Sequence, residues 1–161
     1  MPFSRKALFI FIISLFFMSS YAQKKKDIKK YKIKTVTSTK SQGTKILKDE
    51  KLSYNANGLL TEEIKYDDNG LLASTKRYKY NADEEVIEET EYDGKNQLTE
   101  KRITKYNFLS QKTEELVTDK NGKQIKRFTY TYDAKGLRTE KKTYDGNNVL
   151  VVTKKIVYGY K

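Results

Sequence analysis

The chain has no cysteine, no histidine and no tryptophan, and its one proline is Pro2. Without cysteine there is no disulfide and no thiol nucleophile. Without histidine as well, Ser-His-Asp triads, His/Cys zinc sites and facial iron sites are excluded together. Whatever holds the folded chain must be packing and strand pairing alone. Glycine is sparse, 8 residues in 161, and none sits in a phosphate-cradling loop. The one long apolar run, Ala7 to Met18, has 12 residues; as a helix it spans about 18 Å, short of a bilayer core of about 30 Å. The length suits one domain, with no room for a separate catalytic partner.

Arg5 and Lys6 precede the apolar run and Ser19-Ser20-Tyr21-Ala22 follows it. This order reads as a signal peptide over residues 1–22, cleaved near Ala22, and predicts an exported protein, periplasmic or secreted, with no transmembrane segment in the mature chain. No cysteine follows the run, so a lipid anchor on a processed N-terminal Cys is excluded. Losing Arg5 and Lys6 lowers the net charge of +12 by two. The remaining excess favours anionic surfaces, among them polysaccharide, lipid headgroups and nucleic acid, and the exported location argues against nucleic acid. Residues 23–34, rich in Lys and poor in apolar side chains, read as a basic, disordered lead-in able to act as an electrostatic tether.

Residues 35–161 read as a β-repeat domain organised by tyrosine. Tyr54, Tyr80, Tyr106, Tyr132 and Tyr158 recur every 26 positions, and Tyr66, Tyr92, Thr118 and Tyr144 form a second series offset by 12. A fixed period of this size marks a repeat architecture. Tyr54-Asn55-Ala56-Asn57-Gly58-Leu59-Leu60, Tyr66-Asp67-Asp68-Asn69-Gly70-Leu71-Leu72 and Tyr132-Asp133-Ala134-Lys135-Gly136-Leu137-Arg138 show the unit most clearly. Asp or Asn starts a turn by bonding its own backbone, and Gly supplies the positive φ that closes it. Short stretches of Thr, Lys, Glu, Ile and Tyr follow each turn, which is half-buried strand material. No window keeps the i, i+3, i+4, i+7 spacing of a helix. The expected fold is all-β: an antiparallel meander of about nine or ten short strands, preceded by the signal-peptide helix.

Units of 12 and 14 residues are both even, so alternation is expected to stay in phase through every turn. On that reasoning one face collects Tyr54, Tyr66, Tyr78, Tyr80, Tyr92, Tyr106, Tyr130, Tyr132, Tyr144, Tyr158 and Tyr160 with Leu52, Leu60, Ile64, Leu116 and Phe128, and the other holds Thr, Lys and Glu. A sheet with one aromatic face is expected to curl over it into a β-roll, half-shell or small barrel.

These units resemble the YD repeat (Rhs repeat): Tyr-Asp, two variable residues, Gly, one variable residue, then Leu. Tyr66 to Leu72 matches throughout; Tyr54 to Leu60 has Asn55 for Asp, and Tyr132 to Arg138 ends in Arg. Tyr92-Asp93 and Tyr144-Asp145 keep the opening, but their glycines stand forward at Gly94 and Gly146, leaving Asn96 and Asn148 in the Gly place; Asn tolerates the left-handed geometry needed there. Glu84 and Ser110 occupy that place in two more units, and Thr118 replaces Tyr in another. The resemblance covers residues 50–161 and implies a spiralling antiparallel sheet with aromatics inward. The family's repeats carry no catalytic residues to transfer, and the few units here do not support cargo encapsulation.

Candidate chemistry is thin. Glu62-Glu63, Glu84-Glu85, Glu88-Glu89 and Glu114-Glu115 are adjacent on strands and so point to opposite faces, which keeps them from converging as an acid–base pair. Asp67-Asp68-Asn69-Gly70 and Asp145-Gly146-Asn147-Asn148 lack the spaced ligands of a calcium loop; turn chemistry accounts for them. No metal or other cofactor is expected. The candidate binding surface is aromatic: Tyr78, Tyr80, Phe128, Tyr130, Tyr132, Tyr158 and Tyr160, able to stack sugar rings or receive a partner's side chains. The leading expectation is a non-enzymatic binding or structural module at the cell envelope, with a protein or anionic polysaccharide as partner. The alternatives are an antitoxin or immunity-type protein resembling MORN arrays, and a glycan hydrolase with an unusual carboxylate site.

Overall fold

Every expected turn closes on the same hydrogen bonds. In the computed structural model, which describes residues 25–160, Asn55, Asp67, Asn81, Asp93, Asn107, Asp119, Asp133 and Asp145 each open one. The Oδ1 of each accepts the backbone N–H groups two and four residues on, at 2.8–3.0 Å. The fourth residue of each turn is left-handed: Gly58, Gly70, Gly122 and Gly136 at φ 76–80°, and Asn96, Asn148, Glu84 and Ser110 at 59–63°. Asn96 and Asn148 do take the glycine's conformation.

Between the turns run ten strands: β1 (Thr35–Gln42), β2 (Lys45–Tyr54), β3 (Leu60–Tyr66), β4 (Leu72–Tyr80), β5 (Val86–Asp93), β6 (Leu98–Tyr106), β7 (Lys112–Asp119), β8 (Gln124–Tyr132), β9 (Arg138–Tyr144) and β10 (Leu150–Lys155). All pair antiparallel with their sequence neighbours in one sheet, in the order β1 to β10. The meander and strand number are those expected. The closed, barrel form is not adopted: β1 and β10 remain the two edges of an open sheet.

The reason lies in the register. Leu52 stands opposite Glu63 and Ser53 opposite Glu62, but Tyr54 stands opposite Leu60, so Thr61 is an extra residue. The same one-residue shift recurs in every later hairpin, always seven positions after the turn's aromatic or its Thr118 equivalent: Ala73, Ile87, Thr99, Thr113, Ile125, Thr139 and Val151. Thr61, Thr99, Thr113 and Thr139 turn their hydroxyls back to the facing strand's carbonyls at 3.0–3.3 Å. Each such bulge makes an even-numbered residue face an odd-numbered one across the pair, and a one-residue slip exchanges faces. The expectation of one tyrosine face is thereby overturned. Tyr54, Tyr80, Tyr106 and Tyr132, with Tyr78 and Tyr130, share the face of Leu52; Tyr66, Tyr92, Thr118 and Tyr144 share that of Ile64. With aromatics and charges on both sides, neither face has the apolar excess that would drive closure.

Burial is correspondingly slight. Leu52, Leu59, Val117 and Ile28 are the buried apolar side chains among the described residues, joined by Thr75, Thr104 and Glu115. Ile28 also corrects the reading of residues 23–34 as a disordered lead-in: residues 25–30 form a short helix, α1, with Ile28 3% exposed. The helix rests on the β2–β3 turn so closely that a Cβ on Gly58 would stand 3.0 Å from the Lys25 carbonyl oxygen. Counting lysines missed this, because one isoleucine in the right place seats the turn of helix. The expected signal peptide lies outside the described residues. Among the described residues, no helix is long and apolar enough to cross a membrane.

Candidate functional site

The two tyrosine series occupy opposite ends of the strands and do different work. On the Leu52 face, Tyr80, Tyr106, Tyr132 and Tyr158 each donate the phenol hydrogen to the carbonyl 20 residues earlier, those of Leu60, Val86, Lys112 and Arg138, at 2.6–3.1 Å. Each of these carbonyls lies at a bulge, where the backbone ladder is interrupted and a side-chain donor is needed. On the Ile64 face the rings carry cations: Lys48 over Tyr66, Arg77 over Tyr92 and Arg127 over Tyr144, at 4.1–5.4 Å from the ring centroid.

Five of the seven aromatic candidates named from sequence, Tyr78, Tyr80, Phe128, Tyr130 and Tyr132, share a face without forming one site. Tyr78 and Tyr80 lie on β4 and Phe128, Tyr130 and Tyr132 on β8, four strands or about 19 Å apart. Tyr78 and Tyr130 hold equivalent posts. Tyr78 donates to Glu63 at 3.1 Å and Tyr130 donates to Glu115. Burial, reinforced by these carboxylates, pushes both phenols above their ordinary value. Burial works against ionisation of Glu63 and Glu115, yet hydrogen bonds from Lys65 and Tyr78 to the first, and from Lys112 and Tyr130 to the second, outweigh it and hold both below the usual carboxylate value. Tyr158 and Tyr160 lie beyond β10, exposed, with Lys135 4.1 Å above the Tyr160 ring.

The carboxylate pairs divide between the faces. Glu62 accepts from Arg77 at 3.0 Å, while Glu63 pairs with Lys65 and Tyr78 on the other side. Glu88 accepts Lys79 and Lys101, both at 2.8 Å, on the Ile64 face, and Glu89 meets Lys76 on the Leu52 face. The members of Glu62-Glu63, Glu88-Glu89 and Glu114-Glu115 are thus separated by the sheet, each engaged with a cation, whereas Glu84-Glu85, expected on a strand, lies in the β4–β5 turn, where Glu84 pairs with Lys25 and Glu85 accepts from the Asn81 amide. Asp67 and Asp145, at the calcium-like sequences, spend one carboxylate oxygen on two turn N–H groups.

Charge is distributed along the sheet in blocks. Residues 81–120 contain 6 Lys and Arg against 11 Asp and Glu, whereas residues 121–160 contain 9 against 3. The odd-numbered strands show why: Glu63, Glu89 and Glu115 hold one position on β3, β5 and β7, and β9 puts Lys141 there. Lys141 lies 4.2 Å above the Phe128 ring and 5.6 Å from that of Tyr130, with Arg138 also 5.6 Å from Tyr130. The basic end of the Leu52 face therefore combines Phe128, Tyr130 and Tyr132 with Lys141 and Arg138, and beside it runs the exposed β10. The sequence reading passed over Lys141, Arg138, Lys154 and Lys155. The signal was present as Glu62-Glu63, Glu88-Glu89, Glu114-Glu115 and then Glu140-Lys141 at the 26-residue period.

The fold and this surface define an open, single-layer antiparallel β-repeat sheet with a basic, aromatic end. No protein-family model matches the chain, and no curated protein sequence matches it. Among solved structures, it is similar to a protein of unknown function from Bacteroides fragilis, at 16% identity and a TM-score of 0.41 over 76% of this chain and 92% of that one. It is also similar to TarM (15% identity, TM-score 0.31) over 81% of this chain but 22% of TarM, and to the TcdB2-TccC3-Cdc42 structure (11% identity, TM-score 0.29) over 78% of this chain and 9% of that one.

Proposed function

We propose that the chain is a non-enzymatic, exported binding module of the cell envelope, built from YD-type repeats and recognising an anionic partner, protein or polysaccharide. The observation that carries this reading is the end of the sheet at residues 121–160, where cations outnumber carboxylates threefold and lie over aromatic rings. Such a surface attracts negative charge through space and offers flat contacts at close range. Export rests on the sequence of residues 1–22. The non-enzymatic part is supported by the missing histidine and cysteine and by the separation of Glu62-Glu63, Glu88-Glu89 and Glu114-Glu115 across the sheet.

The test is retention of the full chain on immobilised envelope fractions and on neutral and anionic polysaccharides, repeated with Lys141→Glu. Expected are retention by anionic material and its loss, about tenfold or more in affinity, in the variant. Equal retention on neutral and anionic supports overturns the charge-based reading. Turnover of any of these polysaccharides, abolished by changing a single carboxylate, overturns the non-enzymatic one.

A further inference from the structure

The two edges of the sheet are not alike. β1, of sequence TVTSTKSQ, is polar and carries a register break between Ser38 and Thr39, the features by which natural edges deter strand addition. On β10, Leu150, Val151 and Val152 are 47–55% exposed, with Val149 and Val157 exposed beside them. Its backbone is available too. The Ile156 N–H donates to the Thr139 carbonyl at 2.8 Å, which makes this a hydrogen-bonded pair. Alternation then turns the backbone groups of Val152 and Lys154 toward β9 and those of Thr153 and Lys155 outward. No strand among the described residues receives them.

Charge identifies what would fit. Along the interior of the sheet, the cations of even-numbered strands meet carboxylates of the odd-numbered strands beside them: Arg77 with Glu62, Lys76 with Glu89 and Glu91, Lys101 with Glu88, Arg127 with Glu114. β10 is the next even-numbered strand. Its Lys154 stands opposite Lys141, a like-charge pairing that is unfavourable, and Lys155 opposite Glu140. No ion pair among the described residues engages Lys141, Lys154 or Lys155.

We propose that the free edge of β10 accepts, by antiparallel strand addition, an extended segment of a partner protein with the chemistry of β5 or β7, a glutamate pair within a run of Thr, Val, Ile or Leu. Main-chain bonds to Thr153 and Lys155 supply the pairing, Leu150 to Val152 the apolar contact, and the glutamates the charge that Lys141 and Lys154 lack. A second copy does not meet this need. Its β10 brings only lysines, and its β1, with Lys40 and no carboxylate, adds another. The inference rests on the chain being a binding module and specifies its partner.

The probe is a synthetic peptide with the sequence of Val86–Asp93, VIEETEYD, titrated into the isotopically labelled full chain and followed by amide NMR shifts. Shifts confined to β9, β10 and residues 156–158 are expected, with binding about tenfold weaker when both adjacent glutamates of the peptide are replaced by glutamine. Thr153→Pro removes an outward N–H on an edge strand, where proline is tolerated; it should abolish binding while leaving the circular dichroism spectrum unchanged. Absence of shifts, shifts on the sheet faces instead, equal binding of the glutamine peptide, or binding unaffected by Thr153→Pro each overturns the proposal. So does a concentration-dependent dimer in sedimentation that Thr153→Pro dissolves, since the edge then belongs to a second copy. A chain that ignores the peptide yet is retained by an anionic polysaccharide loses this inference and keeps the wider reading.

Discussion

Exchanging Ser110 and Gly122 for each other's residue type isolates the backbone contribution of a single turn position. Ser110 sits at φ 60° and Gly122 at φ 80°, in equivalent places of consecutive turns. A left-handed residue with a Cβ costs about 1–2 kcal/mol, and glycine gives back about 0.5–1 kcal/mol through its freer unfolded chain. Ser110→Gly should therefore stabilise by roughly 0.5–1 kcal/mol, since the Ser110 hydroxyl has no hydrogen-bond partner among the described residues. Gly122→Ser should destabilise by the same amount. A Cβ on Gly122 meets nothing within 4 Å, so no steric clash contributes. In urea, with a slope of roughly 1–3 kcal/mol per M, the two midpoints should move in opposite directions by about 0.2–1 M. The equivalent Asn96→Gly should gain less, because Asn already tolerates this conformation. A destabilised Ser110→Gly, or a Gly122→Ser chain that unfolds at the parent's midpoint, would refute the reasoning.

Three further outcomes follow from the same geometry. Asp133→Ala removes the acceptor of the Lys135 and Leu137 N–H groups and should cost about 1 kcal/mol, by analogy with helix caps; Asp133→Asn should change stability by only a few tenths, as Asn55 fills the same post, and urea melts separate the two. Tyr106→Phe deletes one hydrogen bond to the Val86 carbonyl, worth about 0.5–1.5 kcal/mol, whereas Tyr130→Phe deprives the buried Glu115 carboxylate of a donor and should cost more, about 1–3 kcal/mol; equal losses would count against the burial argument. Glu63 and Glu115 have folded-state values below the ordinary 4.5, so their stabilisation is complete at neutral pH and is lost as pH falls below 4.5 through those lowered values. Urea midpoints should drop over that acid range, and Glu115→Gln should make the drop shallower.

How far the sequence speaks for itself differs from feature to feature. Asp or Asn at turn openings, and Gly, Asn, Glu84 or Ser110 four residues after the aromatic, mark all the turns from β2 onward, because Asx bonding and positive φ are local matters settled within five residues. The nine strands from β2 to β10, and their order, follow from those turns. The candidate rings were recognisable as a set, but their grouping was not: Tyr78 with Glu63, and Tyr130 with Glu115, Lys141 and Arg138, are contacts between strands, and only the register brings them together. The β1 hairpin, with Gly43 as its turn glycine, has no aromatic marker and stands outside the period.

Face assignment could not be read from unit length. Even units preserve alternation along the chain, but which residues stand opposite each other depends on how each hairpin closes, and one extra residue at Thr61 and its equivalents exchanges the faces. The local sequence was enough for a meander of about nine or ten strands and for the eight like turns from β2 onward, since that information lies within single units. Tertiary pairing decided that the tyrosines divide between two surfaces, that the sheet stays open, and that Ile28 docks a helix on the β2–β3 turn. These depend on strand register and on contacts between separate units, and the repeat period carries no record of either.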